Sequence, residues 1–139
     1  MIEDNEDHAL LIRRGIESAD CSVIHYADGP EAVKALEQIK TAVDRPDLIL
    51  LDLQLPGMNG FEIMKAINHM SSLSNVPVVM LTTSARREEI AQAYQLGARG
   101  YVVKSDDFSV LMTKLKSVKE YWFSAVELPS KFSSPARTL

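Results

Sequence analysis

At 139 residues the chain suits one domain around one core, and 46% apolar with 24% charged residues is ordinary for a folded protein. A net charge of -4 argues against a general grip on nucleic-acid phosphates. The single cysteine, Cys21, excludes an intramolecular disulfide and a multi-cysteine zinc site; no apolar run approaches a membrane span, and a cytoplasmic location is expected.

Helix and strand alternate along the chain. "EDHALLIRRGIES" predicts a helix with Ala9, Leu10, Ile12 and Ile16 as its apolar positions, and "SVIHYA" at 22–27 predicts a strand. "DGPEAVKALEQIKTAV" predicts a helix capped by Asp28, with Pro30 in its first turn and Ala32, Val33, Leu36 and Ile39 in one stripe. "DLILLDL" is a near-continuous apolar run, the mark of a parallel strand covered on both faces. "GFEIMKAINHM" reads as a helix and "VPVVMLTT" at 76–83 as a second covered strand. "SARREEIAQAYQLGA" predicts a helix begun by Ser84 and stopped at Gly97. "GYVVK" at 100–104 reads as a short strand. A long last helix follows, with Ser105 and Asp106 as N-cap candidates and Phe108, Leu111, Met112, Leu115, Val118 and Trp122 expected to face the sheet. The Ser- and Pro-rich end looks like an arm.

Strands alternating with helices of this length imply parallel βαβ units, whose active crevice lies beyond the carboxyl ends of the strands. The strand ends carry chemistry here. Glu3 and Asp4 precede the first helix, Asp52 ends "LILLD", Thr82 ends "VVMLT" and Lys104 ends "YVVK". Three carboxylates on one rim repel one another, and a hard divalent cation such as Mg²⁺ relieves that repulsion.

In this order "EDN" at 3–5, "DLILLDLQLPGMNG" at 47–60, "PVVMLTTSA" at 77–85 and "GARGYVVKS" at 97–105 resemble the response-regulator receiver domain of two-component signalling. The resemblance implies a flavodoxin-like, doubly wound parallel sheet. It makes Asp52 the acceptor of a phosphoryl group from a histidine kinase or phosphotransfer protein. It assigns Mg²⁺ to Glu3, Asp4, Asp52 and the main-chain carbonyl of Gln54. Thr82 and Lys104 would meet the phosphoryl oxygens, and Tyr101 matches an aromatic switch position. Such a protein catalyses its own phosphorylation and dephosphorylation, with no external substrate. His8, His25 and His69 show no metal-pair spacing and are read as non-catalytic.

Two departures from the family matter. "KS" stands at 104–105 where receivers usually carry Lys-Pro. "MIEDN" opens the chain where a receiver normally has about five apolar residues of its central first strand, so that strand is expected to be largely missing. Some four buried side chains at ~1.5–3 kcal/mol each amount to ~6–12 kcal/mol, against a domain stability of ~5–15 kcal/mol.

The division expected is a receiver domain, truncated at its N-terminus, over 1–128, and a tail over 129–139. The "KS", the "TTS" after the fourth strand and the last helix running into Trp122 and "LP" are similar to single-domain regulators serving bacterial phytochromes. Tyr121, Phe123, Val126 and Leu128 continue the apolar stripe and suggest a homodimer through the last helix and tail. Competing readings are a degenerate receiver used as a docking module, an aspartyl-nucleophile phosphohydrolase and a flavin-binding domain. The phosphohydrolase would want an acid where Gln54 stands, and the flavin domain a Ser/Thr/Gly-rich loop where "EDNEDH" stands.

Overall fold

A computed structural model describes residues 1–129 and 137–138. In chain order it has α1 (Glu6–Ile16), β1 (Cys21–Ser22), α2 (Gly29–Glu37), β2 (Ile49–Leu51), α3 (Gly60–Asn68), β3 (Val78–Thr82), α4 (Arg87–Gln95), β4 (Gly100–Val103), α5 (Phe108–Glu120) and β5 (Arg137–Thr138). Strands β2, β3 and β4 form a parallel sheet in that order, with Leu51 beside Met80 and Thr82 beside Val103.

Residues 1–3 continue this sheet beyond β2. Ile2 bridges in parallel to Leu51 on one side and to Tyr26 on the other. The Ile2 N–H donates to the Leu50 carbonyl at 2.8 Å, and the Asp52 N–H donates to the Ile2 carbonyl at 3.0 Å. The short first strand therefore occupies the central place the sequence assigns to it, represented by three residues. Cys21–Ser22 pairs in parallel with Arg137–Thr138. The predicted strand at 22–27 is interrupted: Ser22 pairs with Thr138, Val23 gives its N–H to the Glu17 carboxylate, and residues 24–26 bond to residues 1–3.

Alternate residues of the covered strands feed two cores, as a period of two requires. Ile49, Leu51, Val78 and Met80 join Ala32, Leu36, Ile63 and Ile67 of α2 and α3. Leu48, Leu50, Val79 and Leu81 join Ile12, Ile16, Leu111 and Leu115 of α1 and α5. Helices thus cover both faces, the doubly wound α/β arrangement. At the α1–α5 contact a Cβ on Gly15 would lie 2.8 Å from Leu115, so a glycine lets the helices close.

Some local expectations are corrected. Leu10 is 50% exposed and Phe108 55% exposed, so neither faces the sheet. The cap of α5 is Asp107, whose side chain accepts from the N–H groups of Ser109 and Val110; Ser105 instead caps the Asp107 N–H. Helix α4 starts at Arg87 with Arg86 at the cap position and no side-chain cap; Ser84 lies two residues earlier, donating its hydroxyl to Glu89 and accepting the Arg86 N–H at 3.4 Å. Past α5 the chain makes a π-turn at Tyr121–Ala125. Trp122 and Phe123 pack against the second core, and Tyr121 stays exposed. Part of the expected tail, residues 130–136 and Leu139, lies outside the described residues.

Candidate functional site

The carboxyl ends of the strands bring Glu3, Asp52, Thr82 and Lys104 to one rim, and all four are buried. Asp52 follows β2 directly. Its Oδ1 accepts the Gln54 N–H at 3.2 Å, which starts the loop after the strand. That loop turns at Gly57, whose φ of +77° suits glycine. It closes at Gly60, whose N–H reaches the Leu53 carbonyl. A Cβ on Gly60 would sit 2.6 Å from the Asp52 carbonyl, so the start of α3 lies close against the Asp52 backbone.

Lys104 reaches back over this rim from the end of β4. Its N–H donates to the Thr82 carbonyl at 2.7 Å, tying the ends of β3 and β4 together. Its ammonium donates to Oε1 of Glu3 in a very short contact and to Oδ2 of Asp52 at 3.1 Å. An ammonium between two buried carboxylates offsets part of their repulsion and of their desolvation. Burial nevertheless pushes the Glu3 carboxyl up from 4.5 to about 7, with the charge of Asp52 adding to the rise and Lys104 opposing it. Oε2 of Glu3 accepts the Asn5 N–H at 3.1 Å, which fixes the carboxylate's orientation.

Asp4 is exposed, and one carboxylate oxygen from each of Glu3, Asp4 and Asp52 lies within 4.8 Å of the others. Three hard oxygen donors, one of them open to water, fit a divalent cation that keeps part of its hydration shell. Thr82 is fully buried, and its Oγ1 accepts from the Ser84 N–H at 3.4 Å. Tyr101 on β4 is half-buried and donates its hydroxyl to the Ser84 carbonyl at 2.9 Å. Burial raises its phenol above the usual tyrosine range.

All the residues expected at the site are near it, and three more take part. Ser84 joins Thr82 to Tyr101 through its backbone. His25 Nε2 lies 2.6 Å from the Glu3 carbonyl. His8 Nδ1 lies 3.0 Å from the Lys104 ammonium. Asp4 precedes the cap of α1, so helical spacing gives no signal for His8, whose partner stands 96 positions away. His69 bonds the Lys65 carbonyl of its own helix and stays apart from the site.

A family model described as the response regulator receiver domain matches residues 1–116. The chain belongs to the response-regulator receiver family. It is 31% identical over 134 residues to the response regulator Rcp1 of Synechocystis, covering 94% of this chain and 91% of that one. Among solved structures, the phosphorylated cyanobacterial phytochrome response regulator RcpA superposes with a TM-score of 0.85 at 37% identity, over 93% of this chain and 95% of that one. The Mn²⁺-bound form of Rcp1 gives 0.83 at 31% identity, over 93% and 96%. The flavodoxin-like sheet and the two-component signalling role expected from the sequence are those of this receiver family. Among the described residues no helix is long and apolar enough to cross a membrane.

Proposed function

We propose that Asp52 is the phosphoacceptor of this receiver. The observation that carries the reading is the Lys104 ammonium bound at once to Asp52 and Glu3, beside Asp4 and over the end of the sheet. An oxygen of the Asp52 carboxylate attacks phosphorus in line. The new P–O bond forms as the P–N bond of a phosphohistidine breaks, and the bonding pair returns to the imidazole nitrogen. With acetyl phosphate a P–O bond breaks instead and acetate leaves. Lys104 turns an N–H toward a phosphoryl oxygen, and the Thr82 hydroxyl donates to another. Mg²⁺, held by Glu3, Asp4, Asp52 and the Gln54 carbonyl, supplies charge neutralisation for the equatorial oxygens when bound.

Tyr101 is the switch in this reading. A Thr82 hydroxyl drawn to the phosphoryl group gives up its contact with the Ser84 N–H, and Ser84 carries the carbonyl that holds Tyr101. The donor is a histidine kinase or phosphotransfer protein in the cytoplasm. The likeness to RcpA and Rcp1 favours a bacterial phytochrome as the kinase. A homodimer through the last helix and tail belongs to the same reading. Tyr121 is 52% exposed beside Tyr94, at 50%, across an open groove over β4. Phe123, Val126 and Leu128 are half-buried on their own chain, so Tyr121 would anchor the contact. Light scattering at tens of micromolar tests the dimer, and a monomer under those conditions overturns it.

With Mg²⁺ and acetyl phosphate, intact-mass spectra should show one base-labile phosphoryl group on the wild type and none on Asp52→Asn. Equal labelling of the two would refute the assignment.

A further inference from the structure

The Lys104 ammonium has three N–H donors and meets three acceptors. Two are the carboxylates of Glu3 and Asp52; the third is Nδ1 of His8, 3.0 Å away in the first turn of α1. We propose that His8 is a positioning residue for Lys104, whose bare Nδ1 holds the third ammonium proton until a phosphoryl oxygen takes that place.

Lysine carries no acceptor, so at this contact the imidazole must accept. A ring that accepts at Nδ1 is neutral and carries its proton on Nε2. The three partners are unequal. The bonds to the two carboxylates join opposite charges and are the stronger; the bond to a neutral ring nitrogen is the weaker. When a phosphoryl oxygen enters, the contact to His8 is the one that yields. The helix fixes where this acceptor stands. Asn5 caps α1 by accepting the His8 N–H at 3.0 Å, so the backbone carrying the imidazole is held against the crevice. Without His8, a buried ammonium with one proton unpaired is drawn onto the carboxylates. That movement masks the Asp52 oxygen that must attack.

The inference rests on reading Asp52 as the phosphoacceptor, and its test is built to fail separately from that reading. Side-chain ¹⁵N spectra of the full chain should show His8 neutral, with its proton on Nε2, and Lys104→Met should abolish that fixed preference. A proton on Nδ1 in the wild type overturns the proposal whether or not the protein can be phosphorylated. The second arm measures labelling by acetyl phosphate with Mg²⁺. His8→Leu should lower the maximal rate about tenfold with little change in the half-saturating donor concentration. His8→Asn places a carbonyl oxygen near the position of Nδ1 and should recover to within about threefold of wild type. A merely structural role would slow both variants alike and lower their melting temperatures together. His8→Leu labelling as fast as wild type overturns the proposal. Failure of the wild type to label would sink the phosphoacceptor reading alone, with the ring tautomer still deciding the His8 contact.

Discussion

The two ends of this sheet bury different things. At the carboxyl end Glu3, Asp52, Thr82 and Lys104 are buried together, and among the described residues no buried side-chain nitrogen or oxygen lacks a partner. At the amino end two partly open clefts remain, one with a mainly apolar lining and one with a mixed lining that includes Asn68, Asn75 and Arg99. A cavity of about 130 Å³ lies against Met1, Ile2, Ile24, Leu36 and Ile49, and another of about 490 Å³ lies between Leu73, Val76, Trp122 and Leu128. Buried charge demands exact partners, whereas apolar surface tolerates loose ones at a modest cost. Chemistry therefore sits at the end where a small displacement leaves a charge unpaired.

The contrast breaks most sharply at Lys104. Lys104→Met leaves two carboxylates facing each other in the interior and should cost about 3–5 kcal/mol at about pH 8. The loss should shrink near pH 5, where Glu3 takes up a proton and the repulsion disappears. Paired thermal melts at the two pH values check this; an equal loss at both would mean that Glu3 and Asp52 do not share the lysine. Gly60→Ala comes next. Its new Cβ meets backbone at 2.6 and 2.8 Å, atoms that cannot rotate away, so α3 must move off the crevice. The expected cost is about 2 kcal/mol by denaturant titration, with slower labelling of Asp52.

Metal binding sharpens the same comparison. Glu3 is raised to about 7 in the fold, so its contribution to stability is full below 4.5 and is lost as pH rises through 7. A divalent cation needs the deprotonated form, and its affinity runs the opposite way. Mg²⁺ should bind about tenfold more tightly at about pH 8 than at about pH 6 by calorimetric titration, provided that one proton competes at Glu3. A flat profile would place the ion away from Glu3. The smallest effect belongs to the amino end. Ala35 lines the 130 Å³ cavity, and Ala35→Leu should stabilise the fold by up to about 1 kcal/mol while leaving labelling unchanged.

Much of this was legible in the sequence, for physical reasons that differ between residues. Asp52, Thr82 and Lys104 could be placed because each ends an apolar run, and parallel strands deliver their last residues to one rim. The α2 stripe of Ala32, Val33 and Leu36 followed from helical spacing and a capping Asp28. Leu10 and Phe108 misled because apolar identity does not decide which side of a helix meets its neighbour. Ser84 misled because α4 begins three residues later, at Arg87, with Arg86 in the cap position. The contact between His8 and Lys104 spans 96 positions, and local spacing carries no trace of such a meeting. The first strand was the hardest case. Residues 1–3 hold its place through backbone bonds to residues 24–26 and to β2, which no side-chain pattern announces.

In this reading the buried lysine at the carboxyl end serves a nucleophile at position 52. That role is tested most directly by marking the acyl phosphate itself. The protein is labelled with acetyl phosphate and Mg²⁺, reduced with borohydride, which converts an aspartyl phosphate to homoserine, and then sequenced by mass spectrometry. Homoserine should appear at position 52 and at no other aspartate. Homoserine at Asp4 or elsewhere, with position 52 unchanged, would contradict that role.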